Sequence, residues 1–257
     1  MIYTCYEMAR DCRAGKAEGW SYFIANYVPA IRKIIHRYGI QDRSVEDVLA
    51  ALYKGSKLFE SEEAVPERWF LVALRQAVLS QIPLPSVSLP LELETVATAF
   101  EPLTVVEKQS AWLETMHYTP VEIGTMMRMA PSTVEKIRTR AAELLRGQSD
   151  AWRSTILEEN GLALGRSAAA AGGGDCLPPR DFADILEGRT TWPQRERMTR
   201  HVTSCWHCVD HFCRMVEAGD LLRGTRPANP EESDRYLRGL GIIPSGQKPA
   251  WKRLFGG

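Results

Sequence analysis

Apolar residues recur at helical spacing along most of the chain, and this pattern predicts an all-α fold. Over residues 1–82 a first short helix ends near Gly15. A second, from Glu18 to Tyr38, carries Trp20, Phe23, Ile24, Tyr27, Ile31, Ile34 and Ile35, is interrupted by Pro29 and stops at Gly39. Ser44-Val45-Glu46-Asp47 is a capping start for a third helix bearing Val48, Leu49, Leu52, Tyr53 and Leu58. Pro66 opens a fourth through Trp69, Val72, Leu74 and Val78, which must end before Pro83. Helices joined by such short connections predict a compact bundle. Residues 83–102 then hold four prolines, three acidic residues and no basic one, the composition of an extended linker.

Residues 103–147 change character. Leu103-Thr104-Val105-Val106-Glu107 leads into a helix through Trp112 to Met116, placed to pack beneath two short helices that follow. Thr119-Pro120-Val121-Glu122 starts the first of the two: a capping threonine, proline at the first helical position and a glutamate able to reach back. Ser132-Thr133-Val134-Glu135 repeats the signal just after Pro131. The second helix puts Val134, Ile137, Ala141, Leu144 and Leu145 on one face and leaves Lys136, Arg138 and Arg140 elsewhere. Gly124 falls where the helices cross, and its missing Cβ permits close approach. Five basic and two acidic residues lie between Arg128 and Arg146. A capped helix, a tight turn and a basic amphipathic helix outline a helix-turn-helix whose second helix enters a DNA major groove. The same pattern is also that of an ordinary helical hairpin with a solvated charged face.

Residues 148–175 contain a short helical stretch from Asp150 to Glu159 and then Ser-Ala-Ala-Ala-Ala-Gly-Gly-Gly-Asp, a flexible tether by composition. The module it introduces, 176–222, carries Cys176 and then His201-x-x-x-Cys205-x-x-Cys208, four good ligands for one zinc ion. On one continuous helix residues 201 and 208 would stand about 10 Å apart along the axis. Ligands of one metal must lie within roughly 4 Å of each other, so the helix has to break around Ser204–Trp206. A three-sulfur, one-nitrogen set leaves no open position for hydrolytic chemistry. Two other readings stay open: Cys205 and Cys208 as a redox pair, or a metal-free module with Cys176 a linker thiol. His207, His211 and Cys213 are expected at the surface or just outside the ligand set, Cys213 being the substitute ligand or disulfide partner if the metal leaves. In residues 223–257, Asn229-Pro230-Glu231-Glu232 starts one more helix through Tyr236, Leu237 and Leu240. Trp251, Lys252, Arg253, Leu254 and Phe255 then form a docking peptide, a membrane-surface touch or a free tail.

Composition narrows the function. The 257 residues carry 32 basic and 32 acidic side chains, so any attraction for nucleic acid has to be local. The N-terminus lacks the apolar core of a signal peptide, and no stretch approaches a membrane span. This predicts a cytoplasmic protein with no membrane partner, whose six cysteines are thiols or metal ligands rather than disulfides. No nucleophile–base pair or phosphate loop is visible, so no enzymatic activity is expected.

At this point the first 146 residues resemble the extracytoplasmic-function sigma factors, small two-domain subunits that direct bacterial RNA polymerase to promoters. The resemblance rests on SVEDVLAALYKGSKLF followed by ERWFLVALRQAVL, and on LTVVEKQSAWLETMHYTPVEIGTMMRMAPSTVEKIRTRAAELLR. It implies that residues 1–82 form a sigma region 2-like bundle and 103–147 a region 4-like domain. Glu46, Asp47, Leu49 and Tyr53 would face core RNA polymerase. Trp69, Arg75 and Gln76 would capture the −10 strand of promoter DNA, and Ser132, Thr133, Lys136, Arg138 and Arg140 would contact the −35 duplex. From the residues alone, Trp69 also reads as core, and Glu46 with Asp47 as charges complementing a helix dipole. Two departures stand out. Ala50 and Ala51 replace the family's glutamine and acidic residue, and Arg128 occupies the turn position where a glycine is common. The last module is similar to zinc-binding anti-sigma domains, in which a Cys or His precedes H-x3-C-x2-C by about 25 residues. Asp184-Ile185-Leu186-Glu187-Gly188 matches that family's intervening helix. The combined expectation is a sigma factor autoregulated by a built-in zinc module, which docks on its sigma-like domains and limits access to polymerase or DNA. The alternative is a non-initiating sigma-like adaptor, or a regulator responsive to metal or redox state.

Overall fold

The computed structural model describes residues 3–39, 44–60, 66–87, 90–145 and 155–243. Among them are thirteen α-helices, one 3-10 turn and no strand, as an all-α fold requires. The chain divides into two compact units, residues 1–83 with 218–257, and residues 84–217.

In the first unit α1 (Cys5–Arg13), α2 (Ala17–Arg37), α3 (Val45–Gly55), a 3-10 turn at Lys57–Phe59 and α4 (Glu67–Leu79) form the expected bundle. Trp20, Phe23, Ile24, Tyr27, Ile31, Leu49, Phe59 and Phe70 are its core. Ring centroids of Trp20 and Phe59 stand 5.2 Å apart and those of Tyr27 and Phe70 5.0 Å, the edge-to-face geometry aromatic pairs favour. Pro29 lies inside α2 and does not interrupt it. Proline has no N–H, so the carbonyl of Ala25, four residues earlier, is deprived of its helical donor. The backbone N–H of Ala228 donates to that carbonyl instead, at 2.8 Å. Ala228 introduces the last described helix (Pro230–Gly239), which buries Tyr236 and Leu237 and joins α2 through an Arg32–Glu232 ion pair. Trp251 to Phe255 lie outside the described residues.

The second unit holds α5 (Leu93–Ala99), α6 (Val105–Thr115), α7 (Pro120–Met127), α8 (Pro131–Leu145), α9 (Thr155–Ala170), α10 (Pro179–Leu186), α11 (Trp192–Val202) and most of α12 (Trp206–Leu221); the Pro230–Gly239 helix of the first unit is α13. The unit is built around α6. All eight residues from Lys108 to Thr115 are buried, so this helix is covered on every side. Capping boxes start α6 (Thr104 with Glu107) and α7 (Thr119 with Glu122).

Two segments differ from expectation. The proposed linker contains α5, whose Val96 is fully buried, and Leu91 N–H donates to Asn160 Oδ1 at 2.8 Å. The proposed tether is helical from Thr155 to Ala170 and packs on α6. A Cβ on Gly161 would come within 1.9 Å of the Thr115 carbonyl oxygen, so glycine lets these two helices touch backbone to backbone. Leu157, Leu164 and Ala168 supply the apolar face that a reading of composition alone overlooks. The run Gly172–Gly174 follows one residue after the helix, and only there does glycine keep the chain from continuing it.

Candidate metal centre and nucleic-acid interface

Cys176, His201, Cys205 and Cys208 come together. Their ligand atoms all lie within 4.8 Å of one another. The break foreseen around residues 204–206 is real: α11 ends at Val202, α12 starts at Trp206, and Cys205 sits between them. Cys176 Sγ is 3.8 Å from Cys205 Sγ, and His201 Nε2 is 3.2 Å from Cys208 Sγ. A tetrahedral ion with metal–sulfur bonds near 2.3 Å requires sulfurs about 3.8 Å apart, which matches the first separation. The four residues can therefore hold one metal ion. Burial, with neighbouring thiols adding to it, pushes the Cys208 thiol up to about 12. A cation at the centre reverses that preference by stabilising the thiolate, so metal uptake releases protons. Backbone N–H of Gly173 points at Cys176 Sγ from 3.3 Å and stabilises charge there.

The ligand-bearing helices are bound to α6 by buried polar contacts. Lys108, 3% exposed, donates from Nζ to the Thr203 carbonyl at 2.6 Å, capping the end of α11, and lies over the Trp206 ring. Trp112 Nε1–H donates to Asp210 Oδ1 at 3.0 Å, and the other oxygen of Asp210 is 2.6 Å from Arg214 Nη2. That same nitrogen donates to the Gly165 carbonyl of α9 at 2.9 Å. Rings of Trp112 and Trp206 pack at 5.2 Å. Cys213, expected near the surface as a spare ligand, is fully buried, and its Sγ faces the Gln109 carbonyl at 3.5 Å. His207 Nδ1 lies 3.2 Å from the carbonyls of Ala168 and Ala169, and His211 packs on Phe182, so both line helix contacts rather than the metal. Sequence reasoning missed Lys108, Asp210 and Arg214. The 210/214 spacing of opposite charges on one helix face was the available signal.

Helices α7 and α8 are joined by a tight turn. Arg128 ends α7 in the left-handed conformation, φ 57° and ψ 45°, where glycine is the favoured residue. Met129 N–H donates to the Gly124 carbonyl at 2.9 Å, and a Cβ on Gly124 would meet the Met129 oxygen at 2.8 Å, as expected of a close crossing. The second helix begins at Pro131, two residues earlier than its capping signal suggests, so Ser132 lies inside the helix rather than capping it. Ser132, Thr133 and Lys136 are exposed on α8. Arg138 and Arg140 depart from the expected reading face. Arg138 Nε is 2.6 Å from Glu114 Oε1, and Arg140 Nη1 is 2.8 Å from Glu107 Oε1, with its Nη2 donating to the Pro102 carbonyl. The acids of α6 stand beneath these two arginines and hold them back. Burial, opposed by Arg138, raises the Glu114 carboxyl to about 7.

In the first unit the expected partner residues separate. Glu46, Asp47 and Tyr53 are exposed, whereas Leu49 is fully buried and belongs to the core because its helix face packs inward. Asp47 closes the capping box with Ser44, and Glu46 lies 3.5 Å from Arg235 of α13. Trp69 is half-buried, and its indole N–H is buried without a partner among the described residues, which fits the core reading. Arg75 is 5% exposed and hydrogen-bonds to Tyr38 across its ring, so it faces the interior rather than a nucleic-acid strand. Gln76 is half-buried on a cavity of about 480 Å³ shared with Ala51, Lys57, Ala73 and Ser80. No described helix is long and apolar enough to cross a membrane. Comparison of the chain with protein-family models, with curated proteins and with solved structures finds no match.

Proposed function

We propose that this chain is a promoter-specificity subunit of the extracytoplasmic-function sigma type, carrying a zinc-bound module fixed to its helix-turn-helix. The observation that carries the reading is the α6–α7–α8 arrangement. A supporting helix buried from Lys108 to Thr115, a capped α7, a left-handed turn and an α8 with exposed Ser132, Thr133 and Lys136 leave one helix free to enter a major groove. Arg128 and Lys136 supply charge at that end, while Arg138 and Arg140 brace α8 on α6 and act as positioning residues. Zinc is the metal that best suits three thiolates and an imidazole in a closed tetrahedral set, and its role here is to hold the end of α11 against the start of α12. In the first unit Glu46, Asp47 and Tyr53 are the surface offered to core polymerase, and Gln76 with its cavity is the candidate contact for the −10 strand.

The pairing of Glu46 with Arg235 favours a second reading. A partner face already engaged by α13 suits an adaptor that binds DNA without initiating transcription. Run-off transcription with purified core polymerase separates the two. The sigma reading expects promoter-dependent transcripts that disappear when Ser132, Thr133 and Lys136 are replaced together by alanine. DNA binding without any transcript under every metal and redox condition overturns it.

A further inference from the structure

The arginines of the second unit fall into two groups. Arg138, Arg140, Arg180, Arg189 and Arg214 each stand within ion-pair distance of a carboxylate. Arg195, Arg197 and Arg200 of α11 are exposed, and none has an ion pair or side-chain hydrogen bond among the described residues. Only Arg128 and Lys136, on the helix-turn-helix, share that condition among the described residues of this unit. The helix α11 itself is unusually bare: all residues from Trp192 to Arg197 are exposed, and it is anchored only near its end by Met198, Val202 and the ligand His201. Arg197 and Arg200, one turn apart, share the face turned away from Met198 and Val202. Trp192, 71% exposed, stands at the start of the same helix.

Helices α11 and α8 are both anchored on α6. Neighbouring residues of α6 hold the two: Glu107 binds Arg140 of α8, and Lys108 caps the Thr203 carbonyl at the end of α11. Lys136 lies about 6 Å along α8 from its anchor, and Arg195 about 12 Å along α11 from Thr203. Both runs are short beside the roughly 34 Å of one turn of duplex DNA.

We infer that α11 is a second DNA-contacting element, in which Arg195, Arg197 and Arg200 bind backbone phosphates of the duplex flanking the one read by α8. This rests on the reading of α8 as a DNA-binding helix, and it gives the metal-binding module a direct part in holding DNA. The occupant is a regular polyanion because the donors are unpaired, exposed guanidiniums spread over about one and a half helical turns, and such contacts position without reading sequence. Glu196, also without an ion pair among the described residues, opposes the binding.

The test uses the full-length, metal-loaded chain and a duplex of about 30 base pairs of arbitrary sequence, with affinity measured by fluorescence anisotropy over a salt titration. Each phosphate contact contributes about −0.9 to the slope of log K against log salt. Changing Arg195, Arg197 and Arg200 together to glutamine should lower the magnitude of that slope by about 2–3 and weaken binding at least about tenfold at low salt. The matched lysine variant should keep the slope. Glu196→Gln should tighten binding, a gain that misfolding cannot mimic. Arg128→Gln with Lys136→Gln is the control for α8. An unchanged slope in the α11 glutamine variant, with the α8 control weakened, overturns the inference and leaves the function standing. The opposite pattern keeps the inference and removes the α8 reading. If both variants bind like the parent, both fail, and a protein partner for α11 takes their place. Loss of binding without restoration by lysine, or no gain from Glu196→Gln, also overturns it.

Discussion

Asp210 is the residue whose removal should disconnect α12 from α6. Its two oxygens serve Trp112 of α6 and Arg214 of α12, and Asp210, Trp112 and Arg214 are 2%, 0% and 8% exposed. Asp210→Ala leaves the indole N–H without an acceptor, at about 1–3 kcal/mol, and a buried guanidinium without its carboxylate, at about 3–5 kcal/mol. These are not independent, because one residue serves both, so the expected loss is about 4 kcal/mol rather than the sum. Against a typical domain stability of roughly 5–15 kcal/mol that is a large share. Asp210→Asn keeps an acceptor for Trp112 and should lose less. The triple variant Trp112→Phe, Asp210→Leu, Arg214→Met should come close to the parent, because apolar substitutes leave no buried polar group stranded. Urea unfolding followed by tryptophan fluorescence, with metal content checked in each variant, reads all three. A loss under about 1 kcal/mol for Asp210→Ala, or a triple variant weaker than the single, refutes the argument.

Glu114 gives a pH prediction with a defined sign. Its carboxyl is raised from 4.5 to about 7 in the folded chain, so the folded state keeps a proton that the unfolded state releases between those values. Stability should therefore be fully present below about pH 4.5 and fall, by at most about 3 kcal/mol, as pH rises to about 7; Glu114→Gln should flatten this segment of the stability–pH curve, and an unaltered curve sinks the assignment. Gly161→Ala, whose Cβ would meet the Thr115 carbonyl at 1.9 Å, should cost about 2–3 kcal/mol in the same unfolding assay, whereas a neutral result would mean that α9 does not pack on α6. With the Cys176, His201, Cys205 and Cys208 set holding the proposed zinc ion, its removal by a chelator under reducing conditions should melt α11 and the start of α12. Structural zinc is worth on the order of 10 kcal/mol, and the ties to α6 should carry the loss into α7 and α8. Circular dichroism that changes by no more than the content of these two helices counts against that coupling.

What the sequence made legible was local. Capping boxes at Thr119 and Ser44 depend on residues three apart, and the structure contains both, although the similar signal at Ser132 falls inside α8. The ligand set is legible for the same reason, since His201, Cys205 and Cys208 span one helix break. Arg128 was recognisable as a residue in a glycine's place, and its positive φ follows from that. Tertiary choices were not legible. Arg138 and Arg140 look like groove readers until Glu114 and Glu107 are seen beneath them. Leu49 and Arg75 look like surface stripe and strand contact until the packed bundle and Tyr38 cover them. The alanine-rich end of α9 has little apolar contrast, and its helicity is supported by α6 rather than by its own pattern.

The proline in α2 has an evolutionary consequence. Pro29 opens a socket in the helix backbone, and Ala228, some two hundred positions later, plugs it. A chain ending before residue 228 would carry the proline as a defect, with a bare carbonyl and nothing to fill it. A chain with an ordinary residue at 29 would close its own helix and offer the later segment no foothold. The two features should therefore be inherited together: among relatives, proline at this position should accompany a segment equivalent to 224–240 and be missing where that segment has been lost. In such a lineage, gain of the segment and gain of the proline are one event in structural terms, whichever came first in time.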